Sequence, residues 1–122
     1  MATQTMFSRG ITFKIGWIVL LAISALATLG HIVLGLVMMD EATLFLGWAA
    51  FTLYSTVVLY VPFRRGEKWA WYVSWALVIV FAAPILITQE GFAVYYLGAA
   101  VVMAVSLLMT RPAFFQGRPH AN

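Results

Sequence analysis

The chain has 122 residues, of which 64% are hydrophobic and 9% charged, with a net charge of +3 and no cysteine. Soluble domains average about 25% charged residues, so this composition excludes water as the solvent for most of the surface. The absence of cysteine excludes disulfides, thiolate metal sites and cysteine nucleophiles.

The chain opens with a polar stretch, residues 1–10, followed by an apolar run over about 11–39. A helix needs about 20 apolar residues to cross the hydrocarbon core. The run is too long for the core of a signal peptide and no small-residue cleavage site follows it, so it is expected to be retained. Asp40-Glu41 end it. A second run covers about 42–61 and is expected to close at Pro62, which cannot continue a helical hydrogen-bond ladder. The turn PFRRGEKWAWY, residues 62–72, then carries Arg64, Arg65 and Lys68. The third run covers about 69–88, with a kink expected at Pro84. The fourth covers about 92–109, and a polar tail, 110–122, follows. None of the runs alternates with period two, as strands of a barrel would. Backbone groups in lipid must be satisfied within each segment, which leaves helices, and short connections make them antiparallel neighbours. The expected fold is all-α: a membrane-spanning four-helix bundle forming one integral membrane domain over 1–122.

Charge sets the expected orientation. Arg9 and Lys14 begin the first segment, Arg64, Arg65 and Lys68 join the second to the third, and Arg111 and Arg118 follow the fourth. All seven basic residues therefore fall on one side, while the opposite loops hold Asp40, Glu41 and Glu90. The positive-inside rule places both termini in the cytoplasm of a multi-pass cell-membrane protein. Trp17, Trp69, Trp71 and Phe114-Phe115 would mark the inner interface, and Phe92, Tyr95 and Tyr96 the outer one. Because the cations are confined to tails and one loop, nucleic acid is not an expected partner. The expected partner is the bilayer, with Arg64, Arg65 and Lys68 serving topology or binding anionic headgroups at about 1 kcal/mol per cation. A homo-oligomer or a larger membrane complex is also open.

The two halves echo one another. Lys14-Ile-Gly-Trp17 matches Lys68-Trp-Ala-Trp71, and Leu46-Gly-Trp-Ala49 resembles Leu97-Gly-Ala-Ala100. Duplication of a two-helix hairpin and chance similarity between apolar helices both account for this. A duplication would relate the halves by an axis along the membrane normal.

His31 is the ionisable residue deep in a helix, and such a residue is a functional hypothesis that should face the bundle. Ser24, Thr28, His31, Gly35 and Met38 follow steps of four and three and form a small-and-polar stripe. Trp48, Thr52, Ser55 and Thr56 offer a matching face on the second helix. Counting from the Asp40-Glu41 turn sets His31 level with Trp48, Thr28 with Thr52, and Ser24 with Ser55 and Thr56. The candidate ligand-binding set is His31, Thr28, Trp48, Thr52, Tyr95 and Tyr96. The alternative for His31 is a neutral imidazole that helps helices pack, and for the hydroxyls a bond to their own i−4 carbonyls. No catalytic set, metal site or cofactor is expected.

Ala27-Thr-Leu-Gly-His31 resembles the Ala-x-x-x-His pattern of bacterial light-harvesting polypeptides, which implies pigment ligation by the histidine; haem is a related option. The overall hydropathy plan, with the Arg65–Trp71 turn Arg-Gly-Glu-Lys-Trp-Ala-Trp, resembles small bacterial four-helix membrane proteins of the DoxX-like kind, many without an assigned function. That resemblance implies an inner-membrane four-helix bundle. A related layout occurs in sterol-isomerase-like proteins, which place acidic residues and histidine inside the bundle. The expected function is non-enzymatic: an accessory subunit, or a binder of a small apolar ligand in a pocket near His31. The alternatives are a small oligomeric transporter or channel, and an isomerase-type enzyme using His31, which would need a titratable partner such as Glu41 or Glu90.

Overall fold

The computed structural model describes residues 10–88 and 90–116. Among them four helices are long and apolar enough to cross a membrane: α1 (Gly10–Val37), α2 (Met39–Phe63), α3 (Lys68–Ile87) and α4 (Phe92–Phe115). No strand occurs among the described residues. Arg9, Arg118 and His120 lie outside them.

The pattern on α1 explains the packing. Phe13, Gly16, Leu20, Ser24, Thr28, His31 and Gly35 are buried. Their steps of three and four keep them on one face. Ile18, Leu26, Leu29, Val33 and Leu36 on the other faces are all more than half exposed. In water such a surface would be untenable, but lipid accepts it. Helix α1 packs broadly on α2 and on α4, and α3 packs on α4, while the α2–α3 side is the loosest.

Prolines shift the helix ends away from the expected ones. Helix α2 does not close at Pro62: it runs through it as a wide π turn, Leu59–Phe63. Pro62 has no N–H for the Val58 carbonyl, and a wide turn absorbs that loss without ending the helix. Helix α3 breaks as expected, into Lys68–Ala82 and Pro84–Ile87. Helix α4 continues past 109 to Phe115, with Pro112 inside it. Thr110 and Phe114 are buried, so residues placed in the polar tail by composition are held in the helix by packing. At the other end α1 stops at Val37, and Met39–Glu41 form a 3₁₀ turn.

The described cations Lys14, Arg64, Arg65, Lys68 and Arg111 lie at one end of the bundle, and Asp40, Glu41 and Glu90 at the other. The basic end is closed by rings. Phe63 lies 4.8 Å from Phe114, and each lies 6.1 Å from Phe13, between ring centroids. Here α1 and α4 come so close that a β-carbon on Gly16 would sit 2.7 Å from the Ser106 carbonyl oxygen. The turn between α2 and α3 passes through Gly66 at φ +81°, a conformation that residues with a β-carbon rarely adopt.

The matched tryptophans occupy equivalent places. Trp17 on α1 donates its indole N–H to the Leu59 carbonyl of α2 at 2.8 Å, and Trp71 on α3 donates to the Leu107 carbonyl of α4 at 3.0 Å. The Lys-x-x-Trp echo thus corresponds to one repeated interaction, a tryptophan tying each hairpin near its basic end. Trp71 packs in the core near the basic end, 7% exposed. Trp17→Phe should lower stability by about 1 kcal/mol, the usual net worth of one hydrogen bond. An unchanged unfolding midpoint in mixed micelles would remove the tie from the account.

Candidate functional site

A hydroxyl seam joins α1 to α2 through the middle of the bundle. The Ser24 hydroxyl lies 3.0 Å from the Thr52 carbonyl and 2.8 Å from the Thr56 hydroxyl. Thr28 donates within 3.0 Å of the Thr52 hydroxyl and 2.9 Å of its own Ser24 carbonyl. Ser55, Ser74 and Ser106 bond only backwards, to Phe51, Ala70 and Val102. Cross-helix hydroxyl bonds in membranes contribute on average about 0.6 kcal/mol each. The seam is consequently a modest adhesive whose main effect is to fix the register of α1 on α2.

One turn above the seam, toward the acidic end, all four helices converge on His31. Its Nε2 lies 2.8 Å from the Tyr96 hydroxyl of α4. Trp48 of α2 stands 5.6 Å from the imidazole and 6.1 Å from Tyr96, and Phe81 of α3 stands 5.3 Å from Tyr96, between centroids. His31 is 3% exposed, and its Nδ1 is buried with no hydrogen-bond partner. The α3 helix is interrupted before Pro84, at Ala83, which keeps helical dihedrals, two residues beyond Phe81.

A cavity of about 220 Å³ adjoins this cluster, lined by Ala27, Gly30, His31 and Leu34 of α1, Phe81 of α3, and Tyr95, Tyr96 and Ala99 of α4. A groove of about 330 Å³ lies across the bundle on the loose α2–α3 side, between the Thr43–Phe51 stretch and Val80. Trp48 lines the groove and packs at a tilt against His31 and Tyr96, so the aromatic layer lies between the two spaces.

Of the expected ligand-binding residues, His31 and Tyr96 line the cavity together, and Trp48 backs them. Tyr95 reaches only the rim, 81% exposed. Thr28 and Thr52 lie below, committed to the seam. The sequence reading missed Phe81, Ala27, Gly30 and Ala99, which carry no chemistry of their own. The signal for Phe81 was its position three residues before the α3 proline. Lys68 and Arg111 lie over the same Phe115 ring, each 5.8 Å from its centre. Arg64 lies 6.0 Å from the Trp17 ring centre and 5.5 Å from that of Tyr60, and Arg65 is exposed.

The arrangement presents one neutral polar pair to an apolar space. The titratable partner of His31 is Tyr96, not Glu41 or Glu90, which are both exposed. Of the two imidazole nitrogens that could ligate a pigment or haem metal, Nε2 is engaged by the Tyr96 hydroxyl. Among the described residues no group of three metal-ligating side chains occurs. Below the seam, Leu20, Leu59, Phe13 and Phe63 are at most 1% exposed, and the buried hydroxyls of Ser74, Ser106 and Thr110 bond carbonyls of their own helices. No protein-family model, curated protein sequence or solved structure matches the chain.

Proposed function

We propose that this protein is a non-enzymatic integral membrane protein that binds a small neutral amphiphile taken from the bilayer. The observation that carries this reading is the His31–Tyr96 pair, 2.8 Å apart, beside an otherwise apolar cavity. Small-molecule sites are typically apolar hollows with few polar groups that fix orientation. No charged residue lines the cavity, so an ion would lose its hydration without compensation, and the ligand is neutral. The hollow of about 220 Å³ is open at its mouth, where Gly30 and Tyr95 are exposed, so it takes a ring or the head of a longer chain whose remainder stays in lipid.

Gly30 supplies the test. Gly30 lines the cavity at its exposed mouth, and a β-carbon there meets nothing within 4 Å, so Gly30→Leu adds bulk at the mouth without displacing the protein. Protein extracted in native-membrane discs should carry a small apolar molecule, seen by mass spectrometry of the organic extract and missing from Gly30→Leu. Identical extracts from the two would refute the reading.

The same proposal places the bundle in a bacterial inner membrane with its basic end, and both termini, in the cytoplasm. The natural chain has no cysteine, so a single engineered thiol reports cleanly. Gly66 is a poor site because of its positive φ, so Glu67→Cys is the better inner reporter. In intact cells Glu41→Cys and Glu90→Cys should react with an impermeant maleimide, and Glu67→Cys should not. The opposite pattern would invert the topology.

A further inference from the structure

Tyr54 stands on the outward face of α2, 64% exposed, and its hydroxyl has no hydrogen-bond partner among the described residues. Depth makes that costly. At about 1.5 Å per residue it lies about 15 Å from Arg64 at the basic end and about 20 Å from Glu41 at the acidic end. It therefore sits near the middle of a hydrocarbon core about 30 Å thick. A tyrosine side chain spans less than half of the shorter distance. Helical side chains also lean toward the helix N-terminus, which for α2 is the farther, acidic end. The phenol thus reaches water or headgroups at neither end. The other exposed tyrosines do: Tyr60 and Tyr72 lie about one turn from Arg64 and Lys68, and Tyr95 about a turn and a half from Glu90. At mid-depth lipid offers only hydrocarbon, where a hydroxyl without a partner is penalised. The partner that remains is a protein group at the same depth.

The face around Tyr54 has the shape of a helix seam. Thr43, Gly47, Ala50, Tyr54, Val57 and Val61 follow steps of four and three, and all are exposed. An average step of about 3.5 residues keeps one stripe facing a neighbour that crosses at a shallow, left-handed angle. Above Tyr54 the stripe is small, which lets a second backbone come close. A β-carbon on Gly47 would meet nothing within 4 Å. Thr43 and Gly47 also border the groove on the loose α2–α3 side, so a helix seated on the stripe would cover that groove as well.

We propose that this face is the interface of a homodimer, occupied by α2 of a second copy. A two-fold axis along the membrane normal brings seam residues to their own counterparts at equal depth. A phenol both donates and accepts, so Tyr54 pairs with the partner subunit's Tyr54, one hydroxyl donating to the other. An unrelated membrane protein would need a polar group of its own at this depth, whereas the second copy has one. The interface stands apart from the ligand-binding reading above.

Two measurements test it. The chain has no cysteine, so Ala50→Cys on the seam and Leu29→Cys, 61% exposed on α1 at a matching depth, are single thiols. Oxidised in native membranes, Ala50→Cys should give a disulfide-linked dimer and Leu29→Cys should not. The second measurement counts subunits in liposomes by single-molecule photobleaching over a range of protein-to-lipid ratios. Gly47→Leu should keep the unfolding midpoint of the single copy, where its β-carbon has open space, and should abolish the dimer. Tyr54→Phe should weaken the dimer by at least about threefold, the effect of one average interhelical hydrogen bond. A wild type that stays monomeric at every ratio overturns the proposal. So does a dimer that Gly47→Leu or Tyr54→Phe leaves unchanged, or equal crosslinking at both thiols. An Ala50→Cys crosslink to a different polypeptide alone also overturns it, and would assign the face to another membrane protein.

Discussion

Replacing Gly16 by leucine should separate α1 from α4 and cost at least about 2–3 kcal/mol, the upper range for overpacking a closed core. Even the first atom of a side chain has no room. A β-carbon would lie 2.7 Å from the Ser106 carbonyl oxygen and 2.9 Å from Thr110 Cγ2. One of those neighbours is backbone and cannot rotate away. Gly16→Ala should already destabilise, with Gly16→Leu worse. The matched control is Gly30→Ala on the same helix, where the added carbon meets nothing within 4 Å and the midpoint should hold. Unfolding in graded SDS, or loss of monodisperse protein in mild detergent, reads the difference. Equal midpoints for Gly16→Ala and wild type would mean that the helices do not cross so closely. Small residues at crossings matter more in lipid than in water, because association there depends on close packing and not on hydrophobic exclusion.

The same distinction sets the size of the second effect. Phe63→Ala should cost about 2–3 kcal/mol, from removing about 100 Å³ of ring at about 24 cal/mol per Å³ of cavity. The transfer contribution that raises such losses in soluble proteins is small here, since the alternative environment is lipid. Phe63 is fully buried between Phe13 and Phe114, and its neighbours belong to helices that the Gly16 contact already holds close, so they collapse poorly. Phe63→Leu should recover roughly three quarters of the loss because it restores about three quarters of the volume. By comparison Ser24→Ala, which removes seam bonds of about 0.6 kcal/mol each, should be mild. The aromatic plug therefore outweighs the polar seam in stability, and the seam's effect lies in register. Should Ser24→Ala prove the more damaging of the two, that ranking would be reversed.

Much of this molecule was legible along the chain. Four apolar runs of membrane length, separated by charge, dictate four helices, because lipid offers the backbone no other partner. Spacing on α1 put Ser24, Thr28 and His31 on one face, and counting from the Asp40-Glu41 turn matched Thr28 with Thr52, Ser24 with Ser55 and Thr56, and His31 with Trp48. Ser55 bonds back to Phe51 instead, and the remaining matches hold. Distance along a helix is simply proportional to residue number, so depth can be counted from a common turn.

What the chain could not announce is which way the helices lean and what fills the space between them. Pro62 reads as a stop and Pro112 falls in the tail, yet both are carried within helices, because packing of Phe63, Thr110 and Phe114 holds those turns in place. Tyr96 and Tyr95 are adjacent and chemically alike, but one bonds His31 and the other stands at the rim. Only the rotation of α4 about its axis separates them, and that rotation is set where Gly16 meets Ser106 and Thr110. The linear order thus determined the solvent, the helices and their depth, all of which are local or one-dimensional properties. The cavity beside His31 was left to the tertiary structure, because an empty space is bounded by residues of three helices and encoded by none of them alone.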